Sequence, residues 1–120
     1  MLSNTLCIIE KILKQLNSDL DAAPIVDFFR NYRKGMWIYP GVLKRKFSFN
    51  MNQVYEFLSS LEKEGVLQSY YELYCGHCQK SMGTVELFNQ LPEYFECEIC
   101  GEELPALENS VIIYKVVRDD

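Results

Sequence analysis

The sequence predicts an α+β fold, with helices in its N-terminal part and an antiparallel sheet in its C-terminal part. Three observations carry that expectation. Apolar residues recur at steps of three and four in the N-terminal part, the period of helices buried on one face. After Leu67 the chain turns to short aromatic and β-branched runs separated by Gly, Pro and Asn, as short antiparallel strands require. Two Cys-x2-Cys pairs, Cys75 with Cys78 and Cys97 with Cys100, lie in this second texture, each at the end of a strand-like run.

Taken in order, the first helix is predicted over residues 4–16. Its stripe is Leu2, Leu6, Ile9, Leu13, Leu16 and Leu20, widened by Ile8 and Ile12. Ser3 or Asn4 can cap the first turn by accepting an orphan backbone N–H, and Asn17-Ser18-Asp19 supplies the exit. The stripe stops short of three heptads, so burial within the domain is expected, with a homodimer paired through this helix as the alternative. Cys7, which has no Cys or His near it in sequence, is expected to be a small buried hydrophobe. A second helix is expected from Asp21 and Pro24 through Ile25, Phe28, Phe29 and Tyr32 to Gly35. Met36-Trp37-Ile38-Tyr39, bounded by Gly35 and Pro40, reads as a short strand.

Pro40 then opens a brief helix over residues 41–47, with Val42, Leu43 and Phe47 inward and Lys44, Arg45 and Lys46 outward. Asn50 and Gln53 form a capping box for a longer helix over residues 51–64. Val54, Phe57, Leu58 and Leu61 are its buried stripe, and Gly65 is a left-handed stop that folds Val66 or Leu67 back onto Leu61. Strand-like runs follow at Tyr70, Tyr71, Leu73 and Tyr74, at Val85, Leu87 and Phe88, at Tyr94 and Phe95, and over residues 111–117. No run approaches the roughly 18 apolar residues of a membrane span, and residues 1–10 lack the basic region and cleavage site of a signal peptide. A soluble protein of the reducing cytoplasm is the expectation.

Eighteen residues separate the cysteine pairs. Each pair can turn two sulfurs toward one point, with backbone N–H groups of the tight turn free to donate to the thiolates. Four such sulfurs close a tetrahedral site at Cys75, Cys78, Cys97 and Cys100. Structural zinc is the expected ion, and iron, which uses similar turns, is the alternative. Disulfides would need an oxidising compartment. Four thiolates leave no open position for water or substrate, so the ion is expected to hold the fold and not to catalyse. His77, inside the first turn, is expected to point outward, and Glu96, Glu98, Glu102, Glu103 and Glu108 to form a solvated anionic face. With one histidine and no Gly-rich phosphate loop, nucleophile elbow or metal-hydrolase helix, no enzymatic activity is expected.

Charge divides along the same boundary. Residues 1–68 carry nine Lys or Arg against seven Asp or Glu, a net +2, while residues 69–120 carry three against ten, a net −7. Residues 28–55 hold Arg30, Arg33, Lys34, Lys44, Arg45 and Lys46 and no acid, so one local surface is expected to be positive.

Helix, short strand, short helix, turn, longer helix, strand is an order that resembles the winged-helix family over residues 23–74. The run Phe57-Leu58-Ser59-Ser60-Leu61-Glu62-Lys63-Glu64-Gly65-Val66-Leu67 is similar to the end of its recognition helix and its first wing strand. Residues 71–117 resemble the zinc-ribbon family, departing at Gln79, where a second glycine is common. The expected organisation is an amphipathic helix over 1–22, a winged-helix domain over 23–68 and a zinc ribbon over 69–120. That architecture is similar to the transcription initiation factor E alpha family and to small winged-helix/zinc-ribbon regulators, which implies a binder of nucleic acid or of protein.

Two functions follow. In the favoured one the chain is an adaptor or accessory subunit of a larger complex, its basic face meeting an acidic partner and its ribbon a basic one. In the alternative it reads duplex DNA, with helix 51–64 in the major groove, Asn50, Asn52 and Gln53 on bases and the six basic residues on phosphates. Glu56, Glu62 and Glu64 on that helix oppose the second reading, because acid near phosphate lowers affinity.

Overall fold

A computed structural model of the chain describes residues 1–86 and 91–120. Over these residues the fold is mixed α+β, with four helices and antiparallel strands. The helices are α1 (Ser3–Leu16), α2 (Ala23–Arg30), α3 (Pro40–Phe47) and α4 (Met51–Lys63). The strands are β1 (Trp37–Ile38), β2 (Leu67–Cys75), β3 (Lys80–Glu86), β4 (Tyr94–Glu96), β5 (Glu103–Pro105) and β6 (Ser110–Val116). One sheet has the order β1-β6-β2-β3 and a second pairs β4 with β5. Leu87 and Phe88 of the second strand-like run lie outside the described residues. Among the described residues no helix is long and apolar enough to cross a membrane.

The chain divides into two compact units, Met1–Gln68 with Tyr114–Asp120, and Ser69–Ile113. The second is therefore an insertion in the first and not its successor. The last seven residues were expected in the C-terminal part. They belong instead to the first unit, because Trp37 and Ile38 of β1 pair with Lys115 and Tyr114 of β6, a partnership across the length of the chain that local pattern does not encode.

The core of the first unit is the sum of its helix stripes. Leu6, Ile9, Ile12 and Leu13 of α1 are buried, as are Ile25 and Phe29 of α2, Leu43 of α3 and Val54, Phe57, Leu58 and Leu61 of α4. α4 packs on both α1 and α3, and the rings of Phe29 and Phe57 meet 5.8 Å apart at 71°. The centre of the α1 stripe is thus covered within its own unit. Leu2 and Leu16 at its ends stay exposed. Cys7 is exposed too, against expectation, because it falls beside the stripe and not on it. Neither Ser3 nor Asn4 caps α1: its N-cap is Leu2, whose N–H donates to the carbonyl of Asp119, so the C-terminal segment fixes the helix entry.

α2 ends earlier than Gly35. Its C-cap is Asn31, and Gly35 takes φ +95 in the turn that leads into β1. α4 follows its sequence closely. Asn50 Oδ1 accepts from the Gln53 N–H at 2.8 Å and Gln53 Oε1 accepts from the Asn50 N–H at 3.0 Å, satisfying two orphan donors reciprocally. At the other end Gly65 sits at φ +77, and the Val66 N–H returns to the carbonyl of Leu61.

Asn50→Ala is expected to lower stability by about 1 kcal/mol, the usual worth of such a cap, read as a lower urea midpoint with unchanged slope. The double variant with Gln53→Ala should cost close to the sum of the two single changes, because each side chain bonds a backbone N–H that the other substitution leaves in place. A cost well below the sum would show that the two side chains hold the turn jointly.

Candidate metal centre

The site is built from two hairpin turns of matching geometry. The first joins β2 to β3, with Cys75 paired to Lys80 across its base. The second joins β4 to β5, with Glu96 paired to Glu103. In the first turn the Cys78 N–H points at Cys75 Sγ at 3.4 Å and the Gln79 N–H donates to the Cys75 carbonyl at 2.7 Å. In the second the Cys100 N–H points at Cys97 Sγ at 3.4 Å and the Gly101 N–H donates to the Cys97 carbonyl at 2.8 Å. Both turns close on a left-handed residue, Gln79 at φ +55 and Gly101 at φ +72. Gln79 therefore occupies a conformation that a glycine would adopt without the Cβ penalty.

All four sulfurs lie within 4.8 Å of one another. Cys75 and Cys100 approach to 3.9 Å and Cys97 and Cys78 to 3.7 Å, so each close approach links the two turns. A regular tetrahedron with metal–sulfur bonds of about 2.3 Å has its sulfurs about 3.8 Å apart, so this donor set fits a tetrahedral thiolate-bound ion such as zinc. Cys75 and Cys97 are fully buried, Cys78 is half-buried and Cys100 is exposed. Leu104 packs with the two buried cysteines, and Met82, Phe95 and Cys78 lie against them.

The backbone donors act on charge as well as shape. The amides of Cys100 and Ile99, with the Cys100 amide the stronger, hold the Cys97 thiol down to about 6 despite its burial. Burial, aided by hydrogen bonds from the neighbouring thiols, pushes Cys78 up to about 12. His77 is exposed and stands outside the sulfur cluster. Glu96, Glu98, Glu102, Glu103 and Glu108 are all exposed.

The other residues singled out in the sequence lie in the first unit. Arg30 ends α2 and pairs with Asp27 at 3.1 Å. Arg33 and Lys34 follow in the turn, and the Lys34 N–H donates to Asp119 Oδ2. Lys44, Arg45 and Lys46 form the last turn of α3. All six are exposed. Asn50, Asn52 and Gln53 are exposed at the start of α4, but the side-chain oxygens of Asn50 and Gln53 are engaged in the capping box. One cation escaped the sequence reading: Lys115 Nζ sits 5.6 Å from the ring centroid of Trp37. Only the pairing of β1 with β6 brings the two together, so no local signal announces it.

The chain matches no protein-family model, no curated protein and no solved structure.

Purified protein is expected to hold one tightly bound metal ion per chain, measured by mass spectrometry of the metal. Cys97→Ser should lose it and with it the hydrogen-exchange protection of Ser69–Ile113, while α1 and α4 stay protected. Full protection of the metal-free variant would remove the ion from the account of folding. Gln79→Gly should relieve the left-handed strain and stabilise the metal-loaded unit by up to about 1 kcal/mol in thermal melts; a loss would show that the Gln79 side chain itself is needed.

Proposed function

We propose that this chain is a non-enzymatic adaptor or accessory subunit, a winged-helix-like unit carrying a zinc ribbon, that holds an acidic partner on its first unit and a basic one on its second. The observation that carries the reading is the charge of the two units. In Met1–Gln68 with Tyr114–Asp120 the added Lys115 and Arg118 balance Asp119 and Asp120, leaving +2; Ser69–Ile113 has Lys80 against eight glutamates, a net −7. Zinc held by Cys75, Cys78, Cys97 and Cys100 makes the second unit more negative still, since four thiolates exceed the charge of one divalent ion by two. Surfaces of opposite sign on one chain suit two different partners.

The order α2, β1, α3, α4, β2 supports the winged-helix likeness, and β6 beside β2 supplies a second wing strand. On that likeness the second unit is an insertion at the wing. The paired knuckle turns and their four sulfurs support the ribbon likeness. A closed thiolate set gives the ion a structural task, and its binding energy, on the order of 10–16 kcal/mol in small zinc domains, matches the whole stability of a unit this size.

The DNA-reading alternative places the start of α4 against bases. There the acceptor oxygens of Asn50 and Gln53 already satisfy backbone donors, and Glu56 and Glu64 stand exposed on the same helix and its cap. These features favour a protein partner.

The test is binding of the zinc-loaded chain to a labelled duplex and a labelled single strand across salt concentration. No binding even at low salt is the expected result. Tight binding that falls steeply with salt, and is lost in Arg30→Glu, Arg33→Glu, Lys44→Glu, Arg45→Glu, would replace the adaptor with a nucleic-acid-binding protein.

A further inference from the structure

The acid-free stretch contains more than cations. Phe28 of α2, Tyr32, Phe47 at the end of α3 and Phe49 in the following turn are half-buried. They touch in series: Phe28 meets Tyr32 at 5.3 Å and Phe47 at 5.5 Å, and Phe47 meets Phe49 at 6.3 Å. Phe28 also stacks edge-on against the fully buried Phe29 at 5.2 Å, so the row is anchored to the core and its rings are held in place. Lys46 Nζ lies 5.0 Å from the Phe28 centroid. Lys44 and Arg45 beside it are exposed, and among the described residues their side chains enter no ion pair or hydrogen bond.

We infer that this ridge, Phe28, Phe47 and Phe49 with Lys44, Arg45 and Lys46, binds an acidic peptide segment of a partner protein that carries an aromatic residue. The inference rests on the adaptor reading and adds the chemistry of the segment. Carboxylates of the segment pair with the three cations of α3, and its aromatic ring extends the row at Phe47 and Phe49. Fixed rings bind at small entropic cost, and aromatic residues beside arginine are the usual composition of interface anchors.

Two features choose a peptide over a nucleic acid. Bases stack on open ring faces, whereas Phe28 at the centre of the row meets Phe47 edge to face at 85° and is covered by Lys46. Glu56, which lines a recess together with Phe49, sets a carboxylate beside the outer end of the row and repels phosphate there. The same carboxylate orients the segment, its acids toward Lys44, Arg45 and Lys46 and its ring toward Phe49.

The experiment is fluorescence anisotropy of the full zinc-loaded chain with three labelled probes: a peptide of Glu and Phe with Gly spacers, the same peptide with Phe replaced by Ser, and a single-stranded oligothymidylate. The Glu/Phe peptide is expected to bind in a salt-sensitive way, and the Phe-free peptide to bind roughly tenfold more weakly, about 1.4 kcal/mol. Lys44→Glu with Lys46→Glu should weaken the Glu/Phe peptide by at least as much, and Phe49→Ser should abolish the difference between the two peptides. Metal content and exchange protection report that each variant is folded. Equal binding of the two peptides, no effect of the lysine changes, or tighter binding of oligothymidylate would each overturn the inference. A chain that ignores both nucleic acid and peptide loses this surface and keeps the adaptor reading, whereas a chain that binds nucleic acid loses both.

Discussion

The closure of four sulfurs around one point is the constraint on which the second unit depends. Outside the cysteines, its buried apolar residues among those described are few: Leu73, Leu104, Ala106 and Ile113. A stretch this short buries too little to offset its conformational entropy without a staple. The cysteines take two parts at once. Cys75 and Cys97 are themselves core, packed with Leu104, and their turns set the registers of the two hairpins, because each turn is also the connection between paired strands. Without an ion the unit is left with four converging thiols and no hydrophobic surplus to hold them together.

The first unit feels the second through the chain. β6 must come back to its place: the Gly35 N–H bonds Val116, the Val116 N–H bonds Met36, and the Val117 N–H bonds Val66. Asp119 then receives the N–H groups of Leu2 and Lys34. With the inserted unit folded, the two ends of the insertion are held; unfolded, the same segment is a long loop whose closure costs on the order of 3 kcal/mol, growing only logarithmically with length. The helical unit, with its continuous stripe core, is large enough to absorb that. Unfolding of the inserted unit would therefore weaken the first unit without dissolving it.

How much of this was legible in the sequence follows from the range of each interaction. α4 was readable to its caps, since Asn50, Gln53 and Gly65 act within a turn of themselves, and the cysteine pairs were readable because their spacing is their geometry. What sequence did not show lies in distant partnerships. β5 is three residues long and exists because β4 pairs with it. The return of β6 to β1 decides the division into units, the uncapped start of α1 and the seat of Lys115 over Trp37, and none of these has a local signature. Cys7 is exposed where the pattern predicts burial, because a helix face is about a hundred degrees wide and one position decides inside from outside.

The basic run of α3 shows how far structural need accounts for a charge pattern. Lys44, Arg45 and Lys46 stand in the helix's last turn, where cations answer the negative end of the dipole, and Lys46 gains a ring face besides. Such terms are worth a few tenths to about 1 kcal/mol each and are satisfied by one or two cations. Three exposed cations in succession, with no ion pair at Lys44 or Arg45 among the described residues, exceed that need, and crowding like charges is itself destabilising. Stability alone would have mixed glutamate into this face, as it does along α4. A fold that keeps uncompensated positive charge beside a row of fixed aromatic rings has kept it for something that binds there.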